Sequence, residues 1–240
     1  MSETKTIELE NIGLVHIHKK ARVKNLSISI KPFDGIRVTI PKHLSFVAAE
    51  DYLLKKLPWI KKGAKKIKDI ENLYTIFDEK TNFQTRFHKL ELYQHELKNV
   101  RVLVTPNRMQ IFYPATFQTN NPKVQGLIRK AIEKTLLLES KQYLPQRVAL
   151  LAQKHGFSYQ KISFRNAQTR WGSCAHNNNI SLNIHLMRLP EHLSDYVILH
   201  ELCHTREKNH GPKFKALLNQ VTGGAKQLES EIKKYRIAIY

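Results

Sequence analysis

His200-Glu201-Leu202-Cys203-His204, with His210 six positions further on, is the part of this chain most able to do chemistry. On a helix, residues four apart lie one turn above each other on one face, so His200 and His204 can offer two imidazole nitrogens to one ion. Glu201 adjoins the first of them, where a carboxylate reaches a metal-bound water without itself coordinating. Asn209, Gly211 and Pro212 break the helix and let the chain turn back, which aims His210 at the same point. Three protein ligands leave a fourth tetrahedral position for water, and that opening separates a catalytic zinc site from a structural one. The expected chemistry is hydrolysis, with zinc polarising a carbonyl and acidifying its water and Glu201 passing a proton to the leaving amine.

The elements that must position these residues can be read around them. Pro190 suits a first helical turn, Glu191 and Asp195 favour its positive end, and Leu193, Tyr196, Val197, Leu199 and Leu202 supply packing. A buried helix therefore carries the motif. Other ligand sets fit the same residues. A structural site needs a fourth ligand, for which Glu207, Cys174 and Cys203 are the nearest candidates, although Cys203 points away from the face of His204. A downstream carboxylate, Glu229 or Glu231, is the other candidate for third ligand, and the Gly that metzincins carry three residues after the second His is replaced by Glu207. His185 and His192 flank the helix and, like Arg170 and Tyr196, are candidates for contact with substrate or its oxyanion.

Arg170-Trp171-Gly172-Ser173-Cys174 is a second compact run, in which Gly172 permits close backbone approach and Trp171 offers a large anchor. It reads either as structural or as the lining of a substrate cleft. Together with Ser181-Leu182-Asn183, Asp195 to His204 and Asn209-His210-Gly211-Pro212-Lys213-Phe214, this run resembles the YgjP-like metallopeptidase family and, more distantly, the SprT-like proteases. The resemblance is dense over residues 160–220. It implies a small zincin domain with zinc on His200, His204 and His210, Glu201 as general base, and the Trp171 strand along a cleft where an extended peptide adds as a further strand.

Composition sets the outer limits. At 240 residues and 41% hydrophobic, the chain can bury a real core. Two cysteines make no disulfide framework, the polar start is no signal peptide, and no apolar run approaches a membrane span. A reducing cytoplasm is the expected setting. The net charge of +20 draws polyanions, and Lys55, Lys56, Lys61, Lys62, Lys65, Lys66 and Lys68 interleave with Tyr52 and Trp59. This stretch reads as a solvated helix face or as a nucleic-acid surface, so a nucleic-acid-associated protease or binding module acting on DNA- or RNA-bound proteins is the alternative function. His16 and His18 alternate on a strand, with no third partner spaced to join them in holding a metal.

The fold class is α+β, with a β-rich region over residues 1–120 and a zincin-like domain over residues 121–240. Leu26 to Ile30 and Ile36 to Ile40 predict a hairpin through the turn Pro32-Phe33-Asp34-Gly35. Val47 to Ile67 predicts a helix, Phe87 to Leu92 and Val100 to Val104 a strand pair, and Met109 to Tyr113 a strand after them. Tyr113 to Pro122 has the composition of a linker. One helix then runs towards Tyr143 and another spans Gln146 to His155. Short strands are expected at Lys161 to Phe164, Thr169 to Gly172 and Ile180 to Asn183.

Overall fold

The structure, a computed structural model, describes residues 3–10, 12–31, 35–96 and 98–237. It is a mixed α+β chain that divides into two units, Met1–Thr75 and Ile76–Tyr240.

In the first unit, β1 (Thr4–Leu9), β2 (Gly13–Lys20), β3 (Ser27–Lys31) and β4 (Gly35–Pro41) form a sheet in the order β1-β2-β4-β3. The expected hairpin is present, with β3 antiparallel to β4 from Ser27 opposite Thr39 to Lys31 opposite Gly35; residues 32–34 of its turn lie outside the described residues. Alternation sends Val15, Ile17, Ile36, Val38 and Ile40 into a core closed by Ala49, Leu53 and Ile60. It sends His16 and His18 to the opposite face of β2, where His16 Nδ1 lies 3.0 Å from the Thr6 hydroxyl.

The single helix expected over 47–67 is two, α1 (Phe46–Lys55) and α2 (Leu57–Glu71). Lys56 leaves helical geometry at φ −99° and ψ 5°, and Pro58 in the first turn of α2 has no N–H to continue the ladder. Gly63 packs where a Cβ would lie 2.7 Å from Ile30 Cδ1, so α2 rests closely on β3.

The second unit holds two three-stranded sheets and four α-helices among its described residues. The strands β5 (Lys89–His95), β6 (Arg101–Val104) and β7 (Arg108–Pro114) take the order β5-β7-β6, so the expected pairing of the first two does not occur. Instead β7 is central, parallel to β5 and antiparallel to β6. Burial explains this: Met109, Ile111 and Tyr113 are fully enclosed, whereas every residue of β6 is exposed.

The two helices expected between residues 124 and 155 are one, α3 (Pro122–His155). Pro145 removes one ladder bond at a cost of about 3 kcal/mol, but Leu144 and Val148 beside it are wholly buried, and their packing carries the helix through. The Asn121 side chain caps its start, and Gly156 at φ 67° ends it.

The second sheet comprises β8 (Lys161–Arg165), β9 (Gly172–Cys174) and β10 (Asn179–Asn183), in the order β8-β10-β9. The middle strand expected at residues 169–172 thus begins only at Gly172. Asn183 is the cause: its amide donates to the carbonyls of Ala167 (2.8 Å) and Arg170 (2.7 Å) and holds that stretch as a loop. A 3-10 turn (Ile184–Arg188), α4 (Glu191–Cys203), α5 (Pro212–Thr222) and α6 (Ala225–Ile232) complete the chain. None of the described helices is long and apolar enough to cross a membrane.

Candidate metal centre

The helix α4 is buried nearly all round, through Leu193, Tyr196, Val197, Ile198, Leu199, Leu202 and Cys203. Its first turn is tied to α3. Arg147 donates through Nε to Asp195 (2.7 Å) and through Nη2 to Glu191 (2.9 Å), while the Tyr143 hydroxyl donates to Glu191 (2.8 Å). Its other end is held by a bond from the Thr205 hydroxyl to the Leu202 carbonyl at 2.7 Å and by Arg206, which donates to the Gly156 carbonyl and lies over the Phe157 ring. The helix that carries the motif is therefore fixed at both ends.

Past α4 the chain turns at residues 205–211, where Lys208 bonds the Ala175 carbonyl and the Asn178 side chain. Pro212 then starts α5. This return brings His210 back as the spacing predicts. Its Nε2 lies 3.1 Å from Nε2 of His200 and 3.0 Å from Nε2 of His204. Phe214, one helical turn after His210, forms a common floor: its ring centroid lies 5.0, 4.4 and 4.8 Å from those of His200, His204 and His210.

The donor set suits a cation. Nδ1 of His204 lies 3.0 Å from the Glu207 carbonyl, an oxygen that can only accept, so Nδ1 carries the hydrogen and Nε2 presents a lone pair. Burial first, and the adjoining imidazoles second, push His200 down to about 4; burial lowers His204 as well. These two rings are thus neutral at ordinary pH, the form that ligates. Among the described residues, His200, His204 and His210 are the group whose ligand atoms could hold one metal ion.

Glu229 pairs with Lys233 at 2.8 Å, and its charge also reaches His200, where it opposes the downward push; Glu231 pairs with His192 at 2.9 Å. His185 is fully buried, with Nε2 3.0 Å from Asn166 Oδ1, and burial pushes it down to about 3. The Cys203 thiol is buried within α4 and pushed up to about 12 by burial; both cysteines are free. The Tyr196 ring centroid is 6.2 Å from that of His200.

Glu201 is 5% exposed, and burial raises its carboxyl to about 8. It is enclosed by β9. A Cβ on Gly172 would stand 2.7 Å from Glu201 Oε1 and 2.8 Å from its Cγ, so only glycine lets the strand run this close to the carboxylate. Arg170 and Gly172 line a concave face of about 540 Å³ with Lys161, Ser163, Arg165 and Asn179, whereas Trp171 packs against the hydrophobic core.

A model of the YgjP-like metallopeptidase domain matches residues 24–235 of the chain. The chain belongs to the YgjP-like family. It is therefore a metallopeptidase, which implies a metal cofactor and a protein or peptide substrate. Two solved structures are similar over part of this YgjP-like chain. One is the metallopeptidase zymogen of Pyrococcus abyssi abylysin, 20% identical, covering 38% of this chain and 91% of its own with a TM-score of 0.35. The other is the metallopeptidase zymogen of Methanocaldococcus jannaschii jannalysin, 24% identical, covering 38% and 93% with a TM-score of 0.34. No curated protein matches.

Two features of the YgjP-like site escape the sequence reading. Phe214 as the floor of the rings is one; its signal is the four-residue step from His210 across the Gly-Pro start of a helix. The contact of Gly172 with Glu201 is the other, and a glycine inside a short strand is its only trace.

Proposed function

We propose that His200, His204 and His210 hold one zinc ion and that Glu201 is the general base in the hydrolysis of peptide bonds. The convergence of three Nε2 atoms, with the buried Glu201 next in the chain to His200, carries this reading. Neutral imidazoles are the donor type that zinc favours in catalytic sites of three protein ligands. The ion, when bound, supplies Lewis-acid polarisation of the scissile carbonyl and of water. Glu201 takes the proton of the attacking water on its carboxylate and returns it to the leaving amide nitrogen. Phe214 keeps the ring floor dry and fixes the tilt of the imidazoles.

The substrate is an extended segment of protein or peptide, laid along the terminal strand β9 with Arg170 and Gly172 beside it. Every residue invoked falls within 121–240, inside the second unit, Ile76–Tyr240. Two free cysteines agree with a reducing, cytoplasmic setting. The deciding experiment is Glu201→Gln, which is expected to retain one metal ion per chain and to lose peptide hydrolysis; full activity in that variant overturns the proposal.

A second reading, of a peptidase working at nucleic acid, is favoured by one observation. The first unit exposes Trp59 and Tyr52 among lysines.

A further inference from the structure

Among the described residues of the first unit, the exposed aromatic rings are Tyr52 and Trp59, at the junction of α1 and α2. Trp59 is 55% exposed and Tyr52 40% exposed, so both rings offer a flat face to solvent. Between them lies a cavity of about 300 Å³, walled by Leu26 and Ile28 of the β3 side, Tyr52, Lys56 and Trp59. The Lys56 ammonium stands 5.8 Å from the Tyr52 ring centroid.

Lysines continue the surface away from this cavity. Lys62 and Lys66 follow Trp59 by three and seven residues on α2 and so share its side of the helix. Lys55 closes α1, and Lys61 and Lys65 flank the stripe. The described ion pairs of this unit join Lys5 to Glu50 and Lys19 to Glu3, and no described partner neutralises the lysines of this face.

Flat exposed rings beside unpaired ammonium groups are complementary to a polymer with flat groups and a repeating negative charge. A duplex turns its base faces inward and meets only the lysines. An acidic peptide offers carboxylates but few planes to stack. A single strand offers both at once. Resting on the second reading above, and deepening it, we infer that the α1–α2 face of the first unit binds single-stranded nucleic acid. A base stacks on Trp59 and Tyr52 over the cavity, and the backbone phosphates follow Lys56, Lys62 and Lys66.

The test is fluorescence anisotropy of a fluorescein-labelled single-stranded decathymidine titrated with the full chain. Binding is expected at about 50 mM salt and weakens steeply by about 200 mM. Trp59→Ala lowers the affinity about tenfold. A blunt duplex binds less tightly than the single strand. No binding at the lower salt overturns the inference, as does a Trp59→Ala variant that binds like the parent chain. Polyglutamate displacing the labelled strand as well as unlabelled decathymidine does overturns it too, and assigns the face to acidic polypeptides instead. Should Trp59→Ala not fold, Lys62→Glu combined with Lys66→Glu carries the same test. Binding is read without catalysis, so its failure leaves the peptidase proposal standing, and loss of the peptidase proposal leaves this face as it is.

Discussion

The histidine centre of the second unit and the lysine-rich face of the first differ in how firmly each is specified. At the centre every group has neighbours that decide its place: α3 clamps the start of α4, Phe214 underlies three rings, and Gly172 leaves room for one carboxylate. On the face the same chain leaves long side chains in water, held by α1 and α2 only at their roots. A site for chemistry needs angles and distances fixed to fractions of an ångström, whereas capture of a flexible polyanion needs only charge and flat surface. Substitutions should therefore be felt strongly and specifically at the centre, and weakly and additively on the face.

The largest effect is expected from emptying the centre. His200→Ala combined with His204→Ala should lower peptide hydrolysis by about 10³-fold or more while circular dichroism shows the helices retained. Activity within tenfold of the parent would break the comparison. Next comes Gly172→Ala, where a methyl group must displace the Glu201 carboxylate. A shift of that kind is expected to lower kcat by about 10- to 100-fold with metal content and KM little changed. An unaltered kcat would show that the close approach of β9 has no catalytic consequence.

How far all this is legible from the chain depends on the range of the forces involved. His200, His204 and Glu201 are separated by helix geometry alone, and His210 by one turn with its own Asn-Gly-Pro punctuation, so their convergence follows from local sequence. The β3–β4 hairpin is equally local. Pairing of β5 with β7 is not: β6 intervenes, and only tertiary burial of Met109 and Ile111 decides which strand is central. Pro145 reads as a helix end until the packing of Leu144 and Val148 is known. Lys56 breaks a helix that the apolar period alone extends to Ile67, because the period carries no record of backbone angles. The role of Gly172 is the clearest case of a contact between distant residues, since nothing near it in sequence names Glu201 as its neighbour.

A smaller effect sharpens the contrast through pH. His185 is buried and pushed down to about 3 from an ordinary value of 6.5, so the folded chain binds fewer protons there than the unfolded chain does. A depressed pKa gives a contribution that is present above 6.5 and lost as the pH falls towards 3. Urea unfolding should show that contribution falling by about 1.4 kcal/mol per pH unit through the window, and His185→Gln should flatten the curve. An equally steep curve in that variant would assign the acid sensitivity to other groups. The smallest effect is expected on the open face, where Trp59→Ala should leave hydrolysis of a short peptide within about twofold of the parent. A larger change would mean that the two regions are coupled.

Metal content is the most direct measurement of all. Elemental analysis of the purified full chain, after removal of loosely bound ions, is expected to give one zinc per chain, lost in His204→Ala and retained in Glu201→Gln. A chain that folds, hydrolyses peptides and holds no stoichiometric metal would contradict the account.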